Sequence, residues 1–184
     1  SADDITRVVT SVGDAVERRL IALAHEDLAA RGMGPAPRMC WMVLGSRARH
    51  EQALGSDQDH AVIIADDAPE GAEDYVAALA EQVVAGLEAA GHPRCPGDVM
   101  ATNPRWHQRL SGWRAEFAQW LDEPVPDAVL GASIFFDSRP LAPEHLLIIT
   151  AAGLVVFALV EVLKQLLRRA GGRPADSRTH PHTE

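Results

Sequence analysis

Residues 44–65 read LGSRARHEQALGSDQDHAVIIA, and this stretch decides the fold. It begins at the end of one apolar run, residues 39–44, and finishes in a second segment of strand composition, residues 59–65, which is apolar from residue 61 onward. Short continuous apolar runs between turn residues are typical of strands that are buried on both faces. The polar segment between the two runs has the composition of a turn followed by one or two helical turns. The sequence therefore predicts two buried strands connected by this segment.

Asp57 and Asp59 are the residues of this stretch best suited to hold a metal ion. In an extended segment, residues i and i+2 point to the same face with Cα atoms about 6 to 7 Å apart, so both carboxylates can reach one site. Oxygen ligands of this kind suit Mg²⁺ or Mn²⁺, which keep substrate phosphates in their remaining positions. Taken alone, however, an Asp-x-Asp pair also fits a plain turn, because aspartate is a common turn former.

The small-residue turn Gly45–Ser46 is a candidate phosphate-binding element. Gly45 lets the backbone approach a ligand closely, and Ser46 opens a helical turn whose free amides can bind phosphate oxygens. A plain strand-to-helix turn would have the same composition. A third predicted strand, residues 132–136, ends in another carboxylate, Asp137. The combination of a GS turn, an Asp-x-Asp pair and a third acidic strand end favours a metal site over an isolated turn.

The remainder of the chain is predicted to be mainly helical. Apolar residues recur every three to five positions over residues 5–28, which indicates one amphipathic helix or a pair of them. Residues 73–90 and 106–121 show the same periodicity, and helices alternating with strands give an α/β (α+β) fold with a small mixed sheet flanked by helices. The predicted parts are an N-terminal helical segment at residues 1–34, the sheet domain at 35–142, a long C-terminal helix at 143–170 and a disordered tail at 171–184.

Three blocks of the sequence carry a family resemblance. They are GSRARHEQALGSDQD at residues 45–59, VMATNPRWHQRLSGW at 99–113 and IFFDSRPL at 134–141. In this order they resemble the polymerase β-like nucleotidyltransferase superfamily, whose pattern is a GS turn, an Asp-x-Asp pair and a third carboxylate on a later strand. More closely, residues 38–142 are similar to the nucleotidyltransferase domain that occurs beside CBS and cyclic-nucleotide-binding modules and is related to the uridylyltransferase of the nitrogen-regulatory PII protein.

The resemblance implies a metal-dependent transfer of a nucleoside monophosphate from a nucleoside triphosphate to an acceptor hydroxyl, with a protein side chain in a signalling pathway as a possible acceptor. Glu51 is implied to fix either Arg49 or the turn itself. A nucleotide-sensing module that binds a triphosphate without turnover is the alternative. The residues implied to bind the nucleotide are Gly45, Ser46 and Arg49, and those implied to bind Mg²⁺ (or Mn²⁺) and to act in catalysis are Asp57, Asp59 and Asp137.

Composition limits the partners and the compartment. The formal net charge is −9, which disfavours a polynucleotide partner, because binding its phosphates needs clustered Lys and Arg. Two cysteines cannot form a disulfide framework, and the first residues lack the pattern of a secretory leader, so a cytoplasmic location is expected. Cys40, His92 and Cys95 do not have the spacing of a zinc motif, so the sequence does not favour a soft-metal site.

Residues 146–160 form an apolar run that has to be tested as a membrane segment. The run is fifteen residues long, whereas a spanning helix needs roughly 20 apolar residues. The length favours a buried helix, or a homodimer interface formed by the C-terminal helix, over insertion in a membrane.

Overall fold

The two strands predicted from residues 39–65 are present and form the centre of the sheet. The computed structural model describes residues 2–122 and 126–141 of the chain. Strand β1 (Met39–Val43) pairs with strand β2 (His60–Ile64) in antiparallel orientation. All ten side chains of the two strands are buried, which explains why both segments are apolar throughout, apart from His60, rather than alternating.

Two short strands complete a four-stranded mixed sheet. Strand β3 (His107–Arg109) runs parallel to β2, and strand β4 (Arg139–Pro140) runs antiparallel to β1. The strand order is β3-β2-β1-β4. Val43 therefore lies between His60 on one side and Arg139 on the other, at the end of β1 where the GS turn begins. The mixed sheet with flanking helices that the sequence predicted is confirmed.

One face of the sheet is covered by the N-terminal helix and the central helix. Helix α1 (Ala2–Ala30) is a single continuous helix, and it packs against helix α3 (Ala72–Ala89). Residues of both helices belong to one hydrophobic cluster with Trp41 and Val62. The apolar positions of α3 that recur every four residues, as the sequence predicted, are fully or almost fully buried: Tyr75, Leu79, Val83 and Leu87.

The opposite face is covered by two later helices. Helix α4 (Leu110–Asp122) and helix α5 (Pro126–Phe136) contribute to a second cluster around Met42 and Ile63. Trp113 is the aromatic centre of this layer, and its indole N–H donates to the carbonyl oxygen of Val62 at 3.1 Å. The sheet thus separates two hydrophobic cores and holds the ends of β1 and β2 in fixed positions.

One predicted helix boundary and one predicted strand are wrong. The helix predicted from Trp106 begins at Leu110, because Pro104–Trp106 form a 3₁₀ turn and the next three residues pair with β2. Residues 132–136, predicted as a strand ending in Asp137, form the last part of α5. A short apolar and aromatic run does not distinguish a buried strand from a buried helix.

The remaining C-terminal predictions lie outside the described residues. They are the long helix at residues 143–170, the disordered tail at 171–184 and the apolar run at 146–160. Within residues 2–122 and 126–141, no helix is long and apolar enough to cross a membrane.

Candidate active site

The Asp-x-Asp segment enters β2 with its side chains alternating between the core and the surface. Gln58 and His60 are each 1% exposed, whereas Asp57 and Asp59 are partly exposed. Successive side chains of an extended segment point to opposite faces, so burial of the two intervening residues directs both carboxylates outward together. The sequence predicted this shared face from the spacing alone.

The two buried residues anchor the segment by specific hydrogen bonds. The Gln58 amide Nε2 donates to the carbonyl oxygen of His92 at 2.9 Å. The Ala101 backbone N–H donates to His60 Nδ1 at 2.9 Å, which leaves the proton of the neutral ring on Nε2, facing Gln58 Oε1 at 3.4 Å. Burial, with a contribution from the charge of Arg47, lowers the pKa of His60 to about 3, so the ring is neutral. His60 is therefore a structural support for the neighbouring Asp59.

The structure adds Cys95 to the two aspartates. The backbone N–H of Gln58 donates to the carbonyl oxygen of Pro93 at 3.0 Å, and Gln58 forms a parallel bridge with Arg94. This pairing carries the next residue, Cys95, to the side of Asp59. The thiol sulfur and one oxygen of each carboxylate all lie within 4.8 Å of one another. Sequence analysis missed this neighbour because no local spacing links the loop to the Asp-x-Asp pair.

The electrostatics of this group favour binding of a cation. Burial raises the pKa of the Asp59 carboxyl, and the nearby charge of Asp57 raises it further, whereas the hydrogen bond from Cys95 lowers it. Burial and the same hydrogen bond to Asp59 raise the pKa of the Cys95 thiol to about 11. A divalent cation would relieve the repulsion between the two carboxylates. Two half-exposed carboxylates side by side are a donor set that fits Mg²⁺ or Mn²⁺.

The GS turn lies directly against Asp59. The backbone N–H of Leu44 donates to the carbonyl oxygen of Asp59 at 3.0 Å, and Gly45 has φ +55°. A Cβ atom added to Gly45 would lie 2.9 Å from Asp59 Oδ2. Ser46 is the second residue of helix α2 (Gly45–Ala48), whose first-turn amides have no acceptor within the helix. Only glycine allows both this backbone conformation and this close approach.

We expect Gly45→Ala to weaken Mg²⁺–nucleotide binding by more than its loss of folding stability would explain. An L-residue in the left-handed region costs about 1–2 kcal/mol, and the new methyl group would also displace the Asp59 carboxylate. Gly55→Ala is the matched control, because Gly55 has φ +77° but nothing within 4 Å of an added Cβ. Urea unfolding should show similar losses for both variants, while calorimetry should show weakened Mg²⁺–nucleotide binding for Gly45→Ala alone. Equal binding by the two variants would contradict this role of Gly45.

Arg49 and Asp137 form an ion pair separate from the Asp57–Asp59 group. Arg49 Nη1 donates to Asp137 Oδ2 at 2.5 Å, and Arg49 Nε donates to Glu51 Oε2 at 2.8 Å. Both partners of the first pair are partly exposed. Within the described residues, Asp137 is not part of the group formed by Asp57 and Asp59. Strands β2 and β4 flank β1 and lie two strand spacings apart, about 10 Å, which accounts for the separation.

A buried ion-pair network connects the turn to helix α1 and strand β4. Arg47, with its side chain 4% exposed, lies within α2 and contacts Asp14 Oδ1 at 3.1 Å and Glu17 Oε2 at 2.9 Å on α1. Arg139 of β4 contacts the other oxygen of Asp14, and the Trp41 indole N–H donates to Glu17 at 2.8 Å. Burial raises the pKa of Glu17, and the charge of Arg47 opposes that rise. The sequence signal that was overlooked is the i, i+3 spacing of the two acids on α1.

Comparison with known proteins identifies the family. No curated protein sequence matches the chain significantly. A family model described as "Putative nucleotidyltransferase DUF294" matches residues 1–127. The match includes the GS turn, the Asp-x-Asp pair and Cys95, and it ends before Asp137. It covers more than half of the 184 residues, and the resemblance drawn from the sequence is confirmed to this extent. The chain therefore belongs to this family of nucleotidyltransferases.

Proposed function

We propose that the protein transfers a nucleoside monophosphate from a nucleoside triphosphate to an acceptor hydroxyl and releases pyrophosphate. The observation that carries the proposal is the position of Gly45 against Asp59, with Asp57 on the same face, in a chain of a nucleotidyltransferase family. A glycine turn beside two carboxylates places a phosphate-binding backbone next to a cation site. A protein hydroxyl as acceptor, a signalling role and uridylyltransferase-like specificity are parts of the proposal that rest on the resemblance alone.

Asp57 and Asp59 would hold the cation, Mg²⁺ or Mn²⁺. When bound, the cation supplies positive charge that stabilises the α-phosphate transition state and the leaving pyrophosphate. The chain contributes a rigid support for these two ligands. Gln58 and His60 are buried and hydrogen-bonded on either side of Asp59, so little side-chain or backbone ordering is left for the reaction step.

The triphosphate would bind at the GS turn. The first-turn amides at Gly45 and Ser46 would donate to phosphate oxygens, and Arg49 would exchange its carboxylate partners for the same oxygens, a bidentate geometry that suits guanidinium. Asp137, released from Arg49, would then be free to act as the third carboxylate and to accept the proton of the acceptor hydroxyl. This exchange of partners would give the Arg49–Asp137 ion pair a function. The pair is partly exposed and therefore contributes little to stability.

The proposed partners follow from the same site. We propose a free nucleoside triphosphate as substrate and no polynucleotide, in keeping with the net charge of −9. A cytoplasmic location is supported by the two cysteines, both of which are free. A homodimer formed through residues 143–170 stays a prediction, because those residues lie outside the described part of the chain.

Removal of the cation tests the proposal directly. We expect calorimetric titration with each of the four nucleoside triphosphates to show binding in Mg²⁺ and none detectable after treatment with a chelator, because the triphosphate and the carboxylates repel each other without the ion. A pyrophosphate assay of the same mixtures then detects turnover. Pyrophosphate release supports the transferase, whereas binding without release favours the nucleotide-sensing alternative or indicates that the acceptor is missing from the mixture. Absence of binding to any triphosphate, with or without Mg²⁺, would refute the nucleotide site.

A further inference from the structure

A thiol lies beside the two candidate metal ligands. Cys95 Sγ and one oxygen each of Asp57 and Asp59 lie within 4.8 Å of one another, and all three residues are partly exposed. Cys95 is a free cysteine, so its sulfur is available as a ligand.

The loop that carries Cys95 is fixed at both ends. Before it, the carbonyl oxygens of His92 and Pro93 accept hydrogen bonds from Gln58 at 2.9 and 3.0 Å. After it, the Asp98 N–H donates to the carbonyl oxygen of Cys95 at 3.0 Å, and the Val99 carbonyl oxygen accepts from the backbone of β2 at 3.1 Å. The thiol is therefore held beside the carboxylates by the same bonds that hold the Asp-x-Asp segment itself.

The donor set has a definite preference among cations. Mg²⁺ is a hard ion that takes oxygen ligands, whereas thiolate sulfur is a soft ligand that binds Zn²⁺ and related ions. Zn²⁺ accepts carboxylate oxygens and thiolate together in four-coordinate sites and leaves a fourth position for water. Coordination requires that the thiol release its proton to solvent as the metal binds.

We propose that Asp57, Asp59 and Cys95 together form a site for a thiophilic divalent cation of the Zn²⁺ class, which competes with Mg²⁺ for the two carboxylates. The proposal rests on the proposed function in one respect, namely that the same carboxylates hold the catalytic cation. It makes nucleotidyl transfer sensitive to thiophilic metals, which would occupy the site that Mg²⁺ needs.

Cadmium provides a direct probe, because a cadmium–thiolate bond gives a charge-transfer band in the ultraviolet. We expect titration of the full chain with Cd²⁺ to produce this band, with Cys95→Ser abolishing it and Cys40→Ala, which removes the other cysteine from the core, leaving it intact. By calorimetry, Zn²⁺ affinity should fall in Cys95→Ser by more than the roughly 10- to 100-fold that loss of an outer-shell partner costs. Asp57→Asn should weaken Cd²⁺ binding as well.

Three outcomes decide the proposal. A band that persists in Cys95→Ser overturns it, and so does a band that is lost in Cys95→Ser but unaffected by Asp57→Asn, because the thiol would then act without the carboxylates. A readout on the wild-type chain covers the case of a misfolded variant: Zn²⁺, but not Mg²⁺, should slow alkylation of Cys95, and equal protection would contradict the proposal. Failure of Mg²⁺–triphosphate binding in zinc-free wild type refutes the proposed function alone and leaves the Cd²⁺ result standing.

Discussion

Asp57→Asn/Asp59→Asn will lose nucleotidyl transfer by at least about 10²- to 10³-fold, the range seen when a single preorganised electrostatic group is removed. Asparagine has the shape of aspartate but no charge, so neither position would retain a divalent cation. The close approach of Gly45 to Asp59 Oδ2 makes an isosteric change necessary, since a smaller or larger side chain would also alter the turn. The measurement is pyrophosphate release together with calorimetric Mg²⁺–triphosphate binding.

The folding stability of the Asp57→Asn/Asp59→Asn variant should not fall together with its activity. Burial and the charge of Asp57 raise the pKa of Asp59, which means that ionised Asp59 is less favourable in the folded chain than in the unfolded one. Removal of both charges should therefore leave the midpoint of urea unfolding unchanged or higher. A lower midpoint would indicate that the two carboxylates are structural rather than functional.

The matched control is Asp67→Asn, just beyond the opposite end of β2. Asp67 pairs with Arg38 at 2.6 Å, and both side chains are more than 60% exposed. Removal of a single carboxylate charge there should leave transfer and binding unaltered. Loss of activity in this variant would assign the effect to overall charge and not to the Asp-x-Asp site.

Arg47→Ala will destabilise the fold by about 3–5 kcal/mol, the cost of removing one partner of a buried ion pair. The substitution leaves Glu17 buried on α1 without its principal counter-charge and removes one of the two arginines that contact the buried Asp14 most closely. Arg38→Ala is the control, because its exposed pair with Asp67 should contribute only about 0–1 kcal/mol. Urea unfolding of the two variants measures the difference.

The pH dependence of the Arg47 variant provides a second check. Burial raises the pKa of Glu17 in the folded chain, and Arg47 opposes that rise, so Arg47→Ala should raise the pKa further. A carboxyl whose folded-state pKa exceeds its unfolded-state value takes up a proton on folding, so the deficit of the variant should shrink as the pH falls from neutral into the mildly acidic range. A deficit that is independent of pH, or no larger than that of Arg38→Ala, would contradict a buried network.

The parts of the fold that sequence reasoning predicted are those that depend on local pattern. Residues 39–44 and 61–65 are continuously apolar because helices cover both faces of the sheet. The shared face of Asp57 and Asp59 follows from the period of an extended chain. The periodicity of residues 73–90 predicted α3 in the same way. In each case the information lies within one element.

The parts that sequence reasoning missed depend on contacts between distant segments. Cys95 reaches the site because the residue before it, Arg94, pairs with Gln58. No residue spacing in the sequence predicts that pairing. Asp137 follows a helix and not a strand. The sequence did not predict this, because a five-residue run of this kind fits either structure. The partners of Arg47 lie on α1, which composition alone describes as an amphipathic surface helix.

The network around Arg47 also bears on how much of the chain makes up a working unit. α1 supplies the acidic groups that neutralise an arginine located inside the phosphate turn. A fragment that began at β1 would keep the GS turn and the Asp-x-Asp pair but would leave that arginine charged and uncompensated beside them. A fragment that is to be expressed alone or fused to another protein should therefore include the N-terminal helix α1.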